Sequence, residues 1–238
     1  MRATNDGVDA DLDRALSYPY PRPPGSFVFD IPTETTTPLD PSRTSVDGRH
    51  AVLAVGSNAS PVQLARKFRQ HRGDPSIPVV AVELADHDVV YATGLAHYGA
   101  VPATLVAFRG TRVAVHVTLL DDAQLEVMDA SEAVGRAYDV ITVEPELITS
   151  PLPLPGPFRG YVAIAGPALR DGRPVALAAI PATGRTLPAH DEPAVLSALA
   201  VREGLAVEAF IQRVVADAAY RRAISDRMRS EGMPAGTE

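Results

Sequence analysis

The sequence predicts an α+β fold, with a mixed sheet, flanking helices and a helical C-terminal extension. Short apolar runs and alternating apolar residues, which are typical of strands, concentrate between residues 50 and 144. From Val207 to Ala218 the apolar residues instead follow the spacing i, i+3, i+4, i+7, which is typical of a helix packed on a body. We therefore expect an arm at 1–49, a body at 50–185 and packed C-terminal helices at 186–238.

The composition argues against several classes of function. Of the 238 residues, 46% are hydrophobic and 21% charged, which is ordinary for a globular protein, and the formal net charge of −7 argues against a nucleic-acid partner. No apolar run approaches the roughly 18 residues of a membrane span, and the N-terminus carries acids where a secretory signal is basic. We therefore expect a cytoplasmic protein without a membrane partner; the oligomeric state is not indicated.

The motifs of common cofactor and metal enzymes are missing from the sequence. It contains no cysteine, no Gly-x-Gly-x-x-Gly, no Gly-x-x-x-x-Gly-Lys-Ser/Thr, no Gly-x-Ser-x-Gly and no His-Glu-x-x-His. We therefore expect neither a cofactor nor a metal. The single lysine, Lys67, is predicted to be a solvated surface residue, because it lies among charged neighbours on the first helix of the body.

The arm at 1–49 is rich in proline and threonine. Residues 17–25 and 31–41 favour extended, polyproline-like backbone without a periodic apolar face. Phe27 and Phe29 are the residues expected to hold the arm against the body.

Residues 51–61, Ala-Val-Leu-Ala-Val-Gly-Ser-Asn-Ala-Ser-Pro, predict a buried strand, a tight turn and a helix start. Gly56 allows positive φ or a close backbone approach, and Ser60 is suited to cap a helix that begins with proline. The turn then presents Ser57, Asn58 and backbone N–H groups near a helix N-terminus. Such a place suits a carboxylate or a developing oxyanion.

The remaining elements follow from local patterns. Arg109 and Gly110 are predicted to form the turn of a hairpin between strands at 103–108 and 111–119. Asp121 and Gln124 have the spacing of a capping box at the start of a helix. Further strands are predicted at 77–83, 89–92, 138–143, 161–166 and 174–180, and helices at 61–70, 122–130, 191–202 and 207–229.

Glu132 is the candidate for proton transfer. It follows a helix that itself follows a half-apolar strand, and a carboxylate at such a junction can face a pocket. Partial burial there would suit it to general acid–base work. The alternative is a surface glutamate at a helix end, and spacing by itself favours that alternative.

Two separated stretches resemble the γ-glutamylcyclotransferase-like family. Residues 55–59 resemble the Tyr-Gly-Ser-Asn-Leu turn that opens the family, and residues 115–134 resemble its strand and helix ending Leu-Asp-x-x-Glu-Gly, which a tyrosine-containing strand follows. The resemblance covers about residues 51–144 and implies a small mixed β-barrel or sheet. It also implies Glu132 as general acid/base and a substrate-binding set of Val55, Gly56, Ser57, Asn58, Ala59 and Tyr138.

The resemblance implies a small-molecule substrate with a γ-glutamyl or similar carboxylate or amide group, cyclised to 5-oxoproline with release of an amine. The sequence departs from the family pattern at Val55, Ala59 and Ala133, which replace a tyrosine, a leucine and a glycine. Two alternatives remain open. One is a related amide- or urea-type hydrolase using the same pocket, and the other is a non-catalytic protein that binds a small carboxylate or amine.

Overall fold

The computed structural model describes residues 3–234, and the side chains of all of these except residues 3–6 and 8, and it confirms the α+β class. The helices of this part are Ala3–Leu16 (α1), Pro61–Phe68 (α2), Asp122–Ser131 (α3), Glu192–Arg202 (α4), Val207–Ala216 (α5) and Ala218–Glu231 (α6). The strands are Phe27–Asp30 (β1), Thr35–Pro38 (β2), His50–Ala54 (β3), Ser76–Tyr91 (β4), Ala103–Leu120 (β5), Tyr138–Val143 (β6), Ile148–Thr149 (β7), Phe158–Ala163 (β8), Leu169–Arg170 (β9), Arg173–Pro174 (β10), Ala176–Leu177 (β11), Ala182–Thr183 (β12) and Ala189–His190 (β13).

One mostly antiparallel sheet carries the fold. Its main path is β13-β11-β4-β5-β3-β8-β6, and β1, β2, β7 and β12 pair at its margins. The pairs β3–β8 and β11–β13 are parallel, so the sheet is mixed as predicted. The barrel form is not observed, because within residues 3–234 the main path stays open and does not close on itself.

The hairpin predicted at Arg109 and Gly110 is wrong. Residues 103–120 form one long strand, β5, which pairs along its length with β4. Gly110 has a φ of +86°, and its N–H donates to Oδ1 of Asp86, which itself has a φ of +55° on the facing strand. The glycine therefore belongs to an irregularity shared by two paired strands, where the register shifts, and not to a chain reversal.

Alternating side chains of the central strands pack into two hydrophobic cores, one on each face of the sheet. In β4, Val79 packs with Leu64 and Phe68 of α2 on one face. The adjacent Val80 packs on the other face with Phe210 and the other apolar residues of α4, α5 and α6. The helices therefore cover the sheet on both sides.

The prediction of an extended arm is corrected by the structure. Residues 3–16 form α1, whose Ala15 is fully buried, and β1 joins the sheet beside β4. Phe27 and Phe29 do hold this segment on the body, as expected, at 2% and 0% exposure. Helix α1 was missed although Val8, Leu12, Ala15 and Leu16 follow the helical spacing i, i+4, i+7, i+8, because the proline- and threonine-rich residues after it dominate the composition of the segment.

Helix ends account for two further outcomes. The capping box is confirmed, since Asp121 accepts from the Gln124 N–H at 2.7 Å and the Gln124 side chain accepts from the Asp121 N–H at 3.1 Å. The single helix predicted at 207–229 is instead α5 and α6, because Asp217 has extended backbone and caps α6.

No helix within residues 3–234 combines the length and the apolar character that crossing a membrane requires.

Candidate active site

A cavity of about 900 Å³ opens beside the loop that follows β3. That size is typical of pockets for small molecules. Among the residues that line it are Gly56, Ser57, Asn58, Glu132 and Tyr138, which come from two separated parts of the chain. The fold therefore brings together both sequence motifs on one wall.

The loop is held close to the N-terminal segment. Gly56 has a φ of −115°, so it is needed for close approach and not for a left-handed backbone. A Cβ at this position would lie 2.5 Å from Oη of Tyr18 and 3.2 Å from Cβ of Ala103. Only glycine fits here without a shift of these neighbours.

Further hydrogen bonds fasten the same loop to the N-terminal segment. The Arg22 side chain donates to the Gly56 carbonyl at 3.5 Å, and the Ser60 hydroxyl donates to the Pro21 carbonyl at 2.8 Å. Ser60 stands at the N-cap of α2 as predicted, but its hydroxyl is used for this long-range contact and makes no cap bond. The segment that was predicted to be an arm thus supports the candidate site.

Glu132 faces the cavity and is not a surface residue. Its Oε1 accepts a hydrogen bond from Nδ2 of Asn58 at 3.0 Å and another from Nζ of Lys67. The side chain of Glu132 is 14% exposed and that of Lys67 is 7% exposed. The carboxylate is therefore held in one orientation between an amide and an ammonium group.

The backbone after α3 produces this orientation. Glu132 caps the C-terminus of the helix, and its N–H donates to the Met128 carbonyl at 3.0 Å. Ala133 then adopts a φ of +50°, and Gly135 a φ of +77°, so the chain turns sharply toward β6. The left-handed region costs a non-glycine residue about 1 kcal/mol, which explains why a glycine would suit the position after the glutamate.

Four tyrosines line the cavity, and the hydroxyl of one of them, Tyr161, donates to Oδ1 of Asp129 at 2.6 Å, while Tyr18, Tyr98 and Tyr138 are the other three. Oη of Tyr138 donates to the Ala103 carbonyl at 3.1 Å, and Oη of Tyr18 accepts from the Ala103 N–H at 2.8 Å. Burial raises the pKa of Tyr18, Tyr98 and Tyr138, and in Tyr138 the charge of Glu132 adds to the shift. All three hydroxyls are therefore protonated at neutral pH and serve as neutral hydrogen-bonding groups.

Not all of the residues that were predicted to bind substrate line the cavity. Val55 through Asn58 and Tyr138 line the cavity, but Ala59 does not. Ala59 is fully buried in the core with Leu64 of α2, because the short 3₁₀ turn of residues 57–59 points its side chain inward. Its selection as a binding residue is therefore corrected.

The prediction that Lys67 is a solvated surface residue is wrong. Four residues before it lies Gln63, which also lines the cavity, so this face of α2 turns toward Glu132. Nζ of Lys67 also lies 3.4 Å from Sδ of Met128. Charged sequence neighbours gave no signal of this burial, because the partner is 65 positions away.

Other lining residues were not identified from the sequence. Tyr18 and Arg14 come from the N-terminal segment, and Arg229 comes from α6. No local motif marks them, since each reaches the cavity only through the packing of the terminal elements on the body. Among the residues with described side chains, no group of three or more His, Cys, Asp or Glu is placed to hold a metal ion.

No protein-family model matches the chain, and no curated protein matches it. A solved structure of an uncharacterized protein from Homo sapiens is similar at 22% identity and a TM-score of 0.37, over 49% of this chain and 68% of that chain. A gamma-glutamyl cyclotransferase is similar at 18% identity and a TM-score of 0.38, over 48% and 66%. A protein from Arabidopsis thaliana is similar at 20% identity and a TM-score of 0.35, over 51% and 74%.

The chain is thus an α+β protein whose partial structural neighbours include a gamma-glutamyl cyclotransferase. All three TM-scores lie below 0.5. These likenesses therefore carry no argument about function, which has to come from the geometry of the cavity.

Proposed function

We propose that the protein is a γ-glutamylcyclotransferase-like enzyme that cyclises a γ-glutamyl amine or peptide to 5-oxoproline and releases the amine. The observation that carries this proposal is the hydrogen bond from Asn58 to Glu132 on the wall of the cavity. It joins the polar loop after β3 to a partly buried carboxylate, which are the two parts that the reaction needs.

The chemistry requires one base and one acid in sequence. Glu132 takes a proton from the α-ammonium group of the glutamyl moiety, and the freed nitrogen attacks the γ-carbonyl carbon. A new C–N bond closes the five-membered ring, and negative charge develops on the carbonyl oxygen. The protonated Glu132 then returns its proton to the leaving nitrogen as the original amide C–N bond breaks, and the surplus proton of the ring nitrogen passes through the same carboxylate to the released amine, which leaves as an ammonium group.

The loop is suited to stabilise the developing charge. Among the described residues, no acceptor pairs with the backbone N–H groups of Ser57 and Asn58. Donors that are fixed before the reaction lower the energy of an oxyanion without reorganisation. Lys67 acts as a positioning residue, because its contact with Oε1 holds the carboxylate beside the loop.

The Glu132→Gln variant tests this function. It keeps the shape of the side chain but removes its ability to accept and return the proton, so kcat should fall by roughly 10²–10⁴. The assay separates 5-oxoproline from free glutamate and from ammonia in the product mixture. Gln70→Glu, at an exposed position just beyond α2, is a control that should leave the rate unchanged.

Three results would redirect the assignment. Unchanged turnover in Glu132→Gln would refute the acid/base role. Free glutamate or ammonia in place of 5-oxoproline would favour the related hydrolase. Binding of a γ-glutamyl compound without any product would favour the non-catalytic binding protein.

A further inference from the structure

The cavity is strongly cationic although the chain has a net charge of −7. Besides Lys67, which contacts Glu132, the lining contains four arginines, and Glu132 is the one acidic residue among the described residues that line it. The four arginines are Arg14, Arg66, Arg136 and Arg229. Walls of one charge sign raise the local concentration of a ligand of the opposite sign.

Most of these guanidinium groups are available to a ligand. Among residues with described side chains, no carboxylate forms an ion pair with Arg14, Arg66 or Arg136. Arg229 pairs with Asp226, whose side chain is 70% exposed, so solvent weakens that contact. At least three positive charges in the cavity are therefore not neutralised within this part of the protein.

Arg14 gives the second, independent sign of a ligand. Its guanidinium lies over the ring of Tyr98, 4.3 Å from the centroid, so its orientation is fixed. Its Nε is buried without a hydrogen-bond partner among the described residues. No hydrogen bond joins the Nη groups of Arg14 to another described residue either, so these donors at the cavity lining are open to a bound anion.

The arginines come from elements outside the reacting loop. Arg14 lies on α1 and Arg229 on α6, and α6 is fastened to the cavity wall because Oγ of Ser225 accepts from the Leu95 N–H at 3.1 Å. The glutamyl group itself carries a single carboxylate, for which one cation suffices. The remaining positive charges are therefore available to bind the amine portion of the substrate.

We propose, on the basis of the cyclisation described above, that the leaving amine carries at least two negative charges. Carboxylate and phosphate groups share the chemistry that planar arginine forks recognise. Arg14, together with Arg66 and Arg136, binds this dianionic group, while the Gly56–Asn58 loop and Glu132 hold the glutamyl end. The terminal elements thereby set the specificity for the amine.

The test compares two pairs of substrates. γ-Glutamyl-glutamate and γ-glutamyl-O-phosphoethanolamine have dianionic amines, one with carboxylates and one with phosphate. γ-Glutamyl-glutamine and γ-glutamyl-ethanolamine are their partners with fewer charges. We expect kcat/KM to be roughly 10- to 100-fold higher for the dianionic member of at least one pair, mainly through KM, because each charge-assisted contact contributes on that scale. The pair that shows the larger ratio identifies carboxylate or phosphate.

Arg14→Gln should abolish this preference, and added salt should reduce it in the unaltered protein. Arg222→Gln, which removes an exposed arginine of α6 that does not line the cavity, is the matched control and should retain the preference. Thermal melts confirm that the variants are folded, and Arg66→Gln replaces Arg14→Gln in the comparison if the latter does not fold.

The outcomes separate this proposal from the proposed function. Equal kcat/KM within both substrate pairs would overturn the dianionic amine and leave the cyclisation intact. If none of the four substrates reacts, the proposed cyclisation is refuted. Calorimetric titration with glutamate and with O-phosphoethanolamine then tests independently whether the cavity binds such anions. Binding that Arg14→Gln abolishes and Arg222→Gln retains would support the site, and absence of binding would overturn it as well.

Discussion

Nζ of Lys67 donates a hydrogen bond to Oε1 of Glu132, the same oxygen that accepts from Asn58 at 3.0 Å. The contact joins α2 to the C-terminus of α3 across the wall of the cavity. Both partners are mostly buried, at 7% and 14% side-chain exposure, so solvent screens the pair little. The single lysine of the chain and the candidate catalytic carboxylate therefore form one unit.

The first prediction concerns the stability of this unit. Lys67→Met leaves the carboxylate without its ammonium partner, and Glu132→Gln leaves the ammonium without its carboxylate. Each single change should lower the free energy of unfolding, by up to about 3–5 kcal/mol, the range for breaking a buried pair. The double variant should lose less than the sum, with a coupling of about 0.5–3 kcal/mol measured by urea denaturation. Additive losses would show that the two side chains do not interact.

A second prediction concerns the fit of the loop against the N-terminal segment. Gly56→Ala places a Cβ 2.5 Å from Oη of Tyr18, and overpacking of this kind costs about 1–3 kcal/mol. Removing the hydroxyl in Tyr18→Phe should reduce the cost of Gly56→Ala, because the next atoms, Cβ of Ala103 and Cζ of Tyr18, lie at 3.2 and 3.6 Å.

Thermal melts of the two single variants and the double variant measure this relief. Gly25→Ala is the control, since a Cβ there meets nothing within 4 Å and its backbone φ is not left-handed. If Gly56→Ala costs the same in both backgrounds, the close approach of Tyr18 is not what requires glycine.

The third prediction concerns pH and rests on His116, which is 5% exposed on β5. Burial, with the charge of Arg22, lowers the pKa of His116 to about 4. Its folded pKa lies below the ordinary value of about 6.5, so the unfolded chain binds the proton first as the pH falls. Stability is therefore complete above pH 6.5 and is lost between pH 6.5 and 4, by about 3 kcal/mol in all.

The difference in melting temperature between the unaltered protein and His116→Gln measures this linkage. Other groups also titrate in this range, but they contribute equally to both proteins. We expect the unaltered protein to lose its advantage over the variant as the pH is lowered from 7 to 4.5. A difference that stays constant over this range would contradict a buried neutral histidine.

Much of the fold could be predicted because its signals are local. The Asp121 capping box, the helix start at Pro61 and the strand at 138–143 depend on residues a few positions apart, and each is confirmed. The errors arise where a local signal has two outcomes. A glycine such as Gly110 is compatible with both a hairpin turn and an irregularity within a strand. The irregularity forms here because β5 pairs with β4 along its length.

The candidate site shows the same division. The polar loop at Gly56–Asn58 and the glutamate after α3 are visible in the sequence, since both lie at element boundaries that local patterns predict. What Glu132 contacts was not predictable: Lys67 lies 65 positions away, and its charged neighbours indicate a surface residue.

By itself, the sequence determined the α+β class, the helix caps and the two stretches that hold the candidate chemistry, because short-range backbone preferences and apolar periods act within an element. Tertiary structure alone decided that the N-terminal segment supports the loop through Arg22 and Pro21 and that Arg14 and Arg229 make the cavity cationic. These placements depend on how α1 and α6 pack against the body. Such packing joins residues far apart in the chain, and no local pattern encodes it.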